Sequence, residues 1–186
     1  MTGNPILVNA YTPIEDDEIE DLVSVPVPGD RFDVKLRAEA AEMLALLLHD
    51  ADAEGSVIPV SGYRTHEEQE RVWNESVSEY GEAFTIKYVA RPDHSEHQTG
   101  LAIDLAANRN SIDFVRPAFP EDDAACLRVR EKAAEYGFIV RYGKDKERIT
   151  GIAYEPWHFR YVGLPHSVIM EEEGLALEEY LEINEK

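Results

Sequence analysis

Leu101-Ala102-Ile103-Asp104-Leu105 is the stretch on which the reading of the fold turns. Leu101, Ile103 and Leu105 fall on one face of an extended chain and Ala102 and Asp104 on the other, the alternation of a strand with one side against a core. An aspartate inside an apolar strand is costly to bury unless it is paired or binds a metal. Upstream lies the polar run Ser95-Glu96-His97-Gln98-Thr99-Gly100, which sets His97 at a loop-to-strand junction. Gly100 lets the backbone turn or approach another group closely.

Working outward, Thr65-His66-Glu67-Glu68 fits a capping box and predicts a helix to about Tyr80, with Trp73 and Tyr80 on the face toward the sheet. Val57-Ile58-Pro59-Val60 reads as a short strand, its proline pointing to an edge or a strand end. Before it, Leu36, Ala40, Met43, Leu44 and Leu47 recur at helical spacing, and Gly55 stops the run. Ala83 to Ala90 forms a further short helix ended by Arg91-Pro92, and residues 81–93 are read as a cover over a site. Downstream, a loop with Pro117 and Pro120 leads to a helix from Asp123 to Tyr136, stopped by Gly137. Phe138–Val140 and Trp157–Val162 read as two more strands. Residues 1–32 form a Pro-rich N-terminal segment with an acidic stretch at Glu15 to Asp21, and residues 167–186 an acidic, solvated helical tail. Residues 1–186 are thus expected to form a single α+β domain, a small antiparallel sheet flanked by helices.

Composition narrows the function. With 38 acidic and 18 basic residues the net charge is −20, which repels nucleic acid and anionic membrane surfaces but still allows a local basic pocket. A content of 44% hydrophobic and 9% aromatic residues argues for a folded chain. Cys126 stands alone, which excludes an internal disulfide and any Cys-rich zinc module. Met1 to Asp30 holds no Lys or Arg, so the basic n-region of a signal peptide is missing. No apolar run approaches the ~18 residues of a membrane span. The expectation is a cytoplasmic protein of open oligomeric state.

A second polar segment, Tyr154-Glu155-Pro156-Trp157-His158-Phe159-Arg160-Tyr161, sets His158 and Arg160 on the strand face opposite Trp157, Phe159 and Tyr161. One imidazole from each segment with Asp104 makes a His-Asp-His set suited to tetrahedral zinc with water in the fourth position. Glu155, three residues from His158, then stands as general base. Singly, each has an ordinary reading: a satisfied core histidine, an acceptor for loop N–H groups, an exposed acid. Spacing alone leaves both readings open.

The third segment is Ser61-Gly62-Tyr63-Arg64-Thr65-His66-Glu67-Glu68-Gln69. Arg64 precedes a helix whose N-terminal dipole favours an anion, and its planar fork suits a carboxylate or oxyanion. Gln69 reaches the same pocket from one turn further on; the plain alternative is a surface arginine paired with one of the many acids. His66 is read as solvated, His94 as a pocket-rim residue at most, and Cys126 as a small buried apolar residue.

Together, Ser-Gly-Tyr-Arg with a following Gln, Ser-x-His-x-x-Gly-x-Ala-x-Asp, and Glu-Pro-Trp-His resemble the zinc D-Ala-D-Ala carboxypeptidases and dipeptidases, the VanY-like group of LAS metallopeptidases. Resemblance spans roughly Val57 to His166 and is closest to the VanXY type. It implies an LAS/hedgehog-like fold, zinc bound by His97, Asp104 and His158, and Glu155 as catalytic base. It also implies that Arg64 stabilises the scissile carbonyl or its oxyanion, while Ser95 and Gln69 hold the substrate's terminal carboxylate. The implied reaction is hydrolysis of D-Ala-D-Ala, or of the terminal D-Ala of the peptidoglycan precursor pentapeptide, in vancomycin resistance. Two rivals remain: an L,D-carboxypeptidase of peptidoglycan recycling, and a non-catalytic zinc-containing module that binds peptidoglycan stems.

Overall fold

Six consecutive buried residues, Ala102–Ala107, form the strand about which the sheet is built. The alternation around Asp104 predicts a strand here with one face on a core; the structure buries both faces and starts the strand after Leu101. The computed structural model describes residues 5–14, 19–28 and 31–184. Along the chain come β1 (Leu22–Ser24), β2 (Lys35–Arg37), α1 (Ala38–Asp50), β3 (Val57–Ser61), α2 (His66–Tyr80), α3 (Glu82–Tyr88) and a 3-10 turn at Glu96–Thr99. There follow β4 (Ala102–Ala107), α4 (Ala124–Lys132), β5 (Phe138–Val140), α5 (Glu147–Thr150), β6 (His158–Tyr161), α6 (His166–Glu173) and α7 (Leu177–Asn184). The main sheet is antiparallel in the order β3-β4-β6-β5, and β1 and β2 pair as a separate two-stranded sheet. The architecture is α+β, a small antiparallel sheet with helices around it.

The two faces of the sheet have different tasks. Ile103 and Leu105 of β4, with Trp157, Phe159 and Tyr161 of the β6 segment, pack into one apolar cluster against Leu44, Leu47 and Leu48 of α1. The opposite face carries Asp104, His158 and Arg160, all buried. Asp104 stands directly across from His158 in the register, so their side chains leave the sheet on the same side. Pro59 sits on the edge strand β3, where its missing N–H costs no central ladder bond.

Local signals are obeyed at the helix ends. Thr65 Oγ1 accepts from the Glu68 backbone N–H at 3.2 Å, and the Glu68 carboxylate accepts from the Thr65 N–H at 2.9 Å, closing the capping box of α2. Asp123 caps α4 through bonds from Ala125 and Cys126, and a 3-10 turn at Ala133–Tyr136 carries the chain to Gly137 at φ 83°. Gly62, just after β3, has another constraint. A Cβ there would fall well inside contact distance of the Lys35 carbonyl oxygen and 2.6 Å from Val34 Cγ1. Only a glycine lets the two segments pass this closely.

Three further expectations need correction. Leu36 does not start the α1 stripe; it lies in β2 opposite Val23, fully buried, and the helix begins at Ala38. Strand pairing with β1, invisible in a helical spacing, claims it. Trp73 and Tyr80 do not meet the sheet: Tyr80 stacks on Phe84 at 4.7 Å, and Trp73 lies under the Arg91 guanidinium at 5.1 Å. Polar α2 buries only Gln69 and Ser76 and packs on α3, where Ser76 and Thr85 hydroxyls are 2.9 Å apart.

The acidic tail is not simply solvated, because Met170, Leu177 and Tyr180 turn one side of α6 and α7 onto Ile139 and Val162. In the N-terminal segment Val8 is buried, and Ile14 N–H donates to Asp93 O at 2.7 Å. Glu15 to Glu18, at the heart of its acidic stretch, lie outside the described residues. Among the described residues no helix is long and apolar enough to cross a membrane.

The capping box is testable by itself. Thr65→Ala leaves the Glu68 N–H without its acceptor and should cost about 1 kcal/mol. In a chain of this length that lowers the melting temperature by about 2–4 °C. An unchanged thermal melt would show that α2 does not depend on this cap.

Candidate metal centre

Three segments distant in sequence meet on the polar face of the sheet. His158 Nδ1 lies 2.9 Å from Asp104 Oδ1, and His97 Nε2 lies 3.3 Å from Asp104 Oδ2. The imidazoles stand nearly perpendicular, their centroids 5.0 Å apart. One ligand atom from each of His97, Asp104 and His158 can be chosen so that all three lie within 4.8 Å of one another, and all three residues are buried.

The outer nitrogens explain why these rings face inward. His97 Nδ1 is 2.8 Å from the Gly62 carbonyl oxygen, which can only accept, so Nδ1 carries the hydrogen and Nε2 keeps its lone pair. His158 Nε2 is 3.4 Å from Glu96 Oε2, which leaves Nδ1 facing Asp104. Each ring therefore has one nitrogen held by an oxygen acceptor and the other turned to the centre, the usual setting of a metal-binding histidine. Two imidazole nitrogens and a carboxylate oxygen are a donor set that zinc accepts, with a fourth position left for water or substrate.

The electrostatics agree. Burial alone would lower the His158 pKa, but hydrogen bonds to Asp104 and Glu96 outweigh it and raise it to about 9. His97, buried and beside the Arg64 guanidinium, is pushed down to about 4. Burial opposes the charge of Asp104, yet the two histidines hold its carboxyl well below the usual range. A divalent cation would supply the positive partner this carboxylate needs and displace the His158 proton.

Glu155 is the exception in this group. It precedes β6, anchored by its N–H on Tyr142 O at 3.0 Å, and its carboxyl is buried with Oε2 4.0 Å from His158 Nδ1. Its other oxygen, Oε1, is buried without a hydrogen-bond partner among the described residues. Burial pushes its pKa well above the ordinary value, the direction expected of a group that must take up a proton near neutrality.

Arg64 arrives from the loop between β3 and α2, with Nη2 3.7 Å from Asp104 Oδ2. Gln69 holds it: Gln69 Oε1 accepts from Arg64 Nη1 at 2.8 Å, and Gln69 Nε2 donates to Ala90 O at 2.7 Å. Both ends of that amide are thus engaged inside the protein. Ser95 is buried and lines the same cavity of about 40 Å³ as Arg64, Gln69, the three metal-site residues and Glu155. Tyr88, Val89 and Ala90 line it as well, which puts part of segment 81–93 at the site.

Other histidines stay apart. His94 Nδ1 is bound to Asn9 O at 2.7 Å and lines a neighbouring cavity, and His66 is not merely solvated but paired with Asp93 at 2.7 Å. Sequence reasoning passes over Glu96, Arg141 and Tyr142. Glu96 is fully buried between the Arg141 and Arg160 guanidiniums, which overcome the cost of burial and hold its pKa well below the ordinary range. Tyr142 packs on the His158 ring at 4.8 Å. The only signal for this group is Arg160 sharing a strand face with His158.

Comparison with known proteins agrees with this geometry. Residues 33–164 match the VanY family, described as D-alanyl-D-alanine carboxypeptidase. The chain is 43% identical over 175 residues to the bifunctional D-Ala-D-Ala dipeptidase and carboxypeptidase VanXYC of Enterococcus gallinarum, covering 94% of this chain and 91% of that protein. The crystal structure of the vancomycin-resistance D,D-dipeptidase VanXYg with a D-Ala-D-Ala phosphinate analogue is similar at TM-score 0.92 and 50% identity, over 97% of this chain and 71% of that one. The LD-carboxypeptidase LdcB is similar at TM-score 0.82 and 38% identity, over 95% of this chain and 84% of that one. A VanY D,D-pentapeptidase crystallised with Zn(II) is similar at TM-score 0.71 and 33% identity, over 95% and 98% of the two chains. A buried His-Asp-His group on this sheet, carried by a chain alike over nearly its whole length to such enzymes, places it in the VanY family of D-alanyl-D-alanine carboxypeptidases.

Proposed function

We propose that this chain is a zinc D,D-peptidase that removes the terminal D-alanine from D-Ala-D-Ala and from the peptidoglycan precursor pentapeptide. Such trimming would deplete the ending that vancomycin-type antibiotics bind. The observation that carries the reading is Glu155, a buried carboxyl with one oxygen unpartnered among the described residues, beside three residues that could hold zinc. A structural zinc site is closed by four protein ligands and has no use for such a base. That weighs against a module that only binds peptidoglycan stems.

In this reading His97, Asp104 and His158 hold the metal. Bound there, zinc supplies Lewis acidity to the scissile carbonyl and acidifies a water molecule. Glu155 accepts a proton from the attacking water at Oε1 and later delivers it to the leaving amine of D-alanine. Arg64, whose Nε is buried without a partner among the described residues, donates to the oxyanion as it forms, a contribution of about 3 kcal/mol. Gln69 keeps the Arg64 fork aimed at the cavity. Ser95 offers its hydroxyl to the substrate's terminal carboxylate from the cavity wall.

The D,D reading is favoured over L,D because the likeness to VanXYg is greater than that to LdcB in both identity and TM-score. A cytoplasmic site of action belongs to the same reading, and fractionation of the producing cells tests it.

Glu155→Gln should retain its zinc while turnover falls on the order of 10²–10⁴-fold, the usual contribution of a positioned base. Full zinc content with undiminished hydrolysis would sink the assignment. Asp104→Ala should lose the metal, and full occupancy by metal analysis would remove Asp104 from the ligand set. Zinc-dependent release of D-alanine from D-Ala-D-Ala or pentapeptide is expected, with chelator-treated protein inactive. Release from tetrapeptide alone would make the chain an L,D-carboxypeptidase instead.

A further inference from the structure

Behind His158 lies a chain of buried charges that reaches the C-terminal helix. Glu96 is fully buried, and its Oε1 takes both cations: Arg141 Nε donates to it at 2.7 Å, and Arg160 Nη1 lies 2.9 Å away. Its Oε2 is left for His158 Nε2 at 3.4 Å. Arg141 in turn donates from Nη1 and Nη2 to the two carboxylate oxygens of Glu178 in α7, at 2.8 and 2.7 Å. Asn9 Nδ2 steadies Glu178 from the N-terminal segment at 3.2 Å, and Ile6 O accepts from Arg160 Nη2 at 2.7 Å.

Charge balance shows what Glu178 does. Two buried guanidiniums share the single carboxylate of Glu96, and Glu178 supplies the second negative charge in a bidentate pair. Without it, Arg141 has one anion left to satisfy it and draws Glu96 away from the histidine. The Glu96–His158 contact is already at the long end of the hydrogen-bond range, so a small displacement breaks it. Tyr142 limits the ring from one side. Glu96 is the group that fixes its outer nitrogen.

We infer that Glu178, acting through Arg141 and Glu96, is a positioning residue for His158, so that the C-terminal helix governs how tightly the site holds its metal. The inference rests on the proposed metal site but not on which peptide is cleaved. Glu179, the next residue on α7, gives a matched comparison. It pairs with Lys146 at 2.7 Å and accepts from the Ala176 N–H at 2.8 Å, but has no link to Glu96.

The experiment measures zinc affinity by chelator competition and the visible bands of the cobalt-substituted protein, for the full chain and for Glu178→Gln, Glu179→Gln and Glu96→Gln. Loss of a group that orients a metal ligand weakens metal binding about 10–100-fold. That is the expectation for Glu96→Gln, with a smaller, several-fold loss and shifted cobalt bands for Glu178→Gln. Glu179→Gln should lower the melting temperature and leave both metal readouts unchanged. Should Glu96→Gln not fold, Glu178→Gln, at a partly exposed position, still decides. Unchanged zinc affinity and cobalt bands in Glu178→Gln would overturn the inference, as would an equal weakening in Glu179→Gln. A full-length protein that took up neither metal would overturn the site itself.

Discussion

The carboxylate of Asp104, sunk into the middle of a four-stranded sheet, is the constraint around which the structure is arranged. An isolated buried carboxylate costs several kcal/mol, so the fold must bring positive or hydrogen-donating partners to it. They come from separate parts of the chain: His158 from the next strand, His97 from the turn before its own, and Arg64 from the loop after β3. Each is held in turn by something behind it, the Gly62 carbonyl, Glu96 or Gln69. One unfavourable burial thus organises two shells of residues. The apolar side of the sheet, packed on α1, provides the rigidity that keeps those shells in place.

What is legible in the sequence is local or patterned by strand alternation. The Thr65 capping box, the Pro59 edge and the opposition of Phe159 to His158 each need only a few neighbouring residues, and each is found. That Asp104 and His158 need partners is legible as well, because a charged or polar group on an apolar strand must be paired or bound to a cation to be buried there. Leu36 is not, since a run of apolar residues at helical spacing does not reveal that its first member is claimed by another strand. Trp73 misleads for the opposite reason: a large aromatic suggests a core, whereas here it lies under Arg91. Glu96 and Glu178 carry no signal, since each meets Arg141 across 45 and 37 residues of chain.

The acidic surface and the site follow different rules. The net charge of −20 is spread over the chain, while the cavity receives Arg64 from its wall; the charges of Arg141 and Arg160 behind it are offset by Glu96 and Glu178. A substrate ending in a carboxylate therefore meets local attraction within a repulsive global field. Val89 and Ala90 contribute small side chains to the cavity wall. Selection among peptide endings then rests on a few close contacts, where one added methylene is worth about 1–3 kcal/mol.

Gly62 joins two demands that are usually separate. Its α-carbon faces the Lys35 carbonyl so closely that no β-carbon fits, and the atom in the way is backbone, which cannot swing aside. Its own carbonyl oxygen meanwhile holds the His97 ring. Any residue with a side chain would have to push the strand outward, and the carbonyl would travel with it. In a diversified library of this chain, position 62 would therefore behave like a metal ligand although it donates nothing to the metal. Variants there would be lost from an activity selection for a purely steric reason.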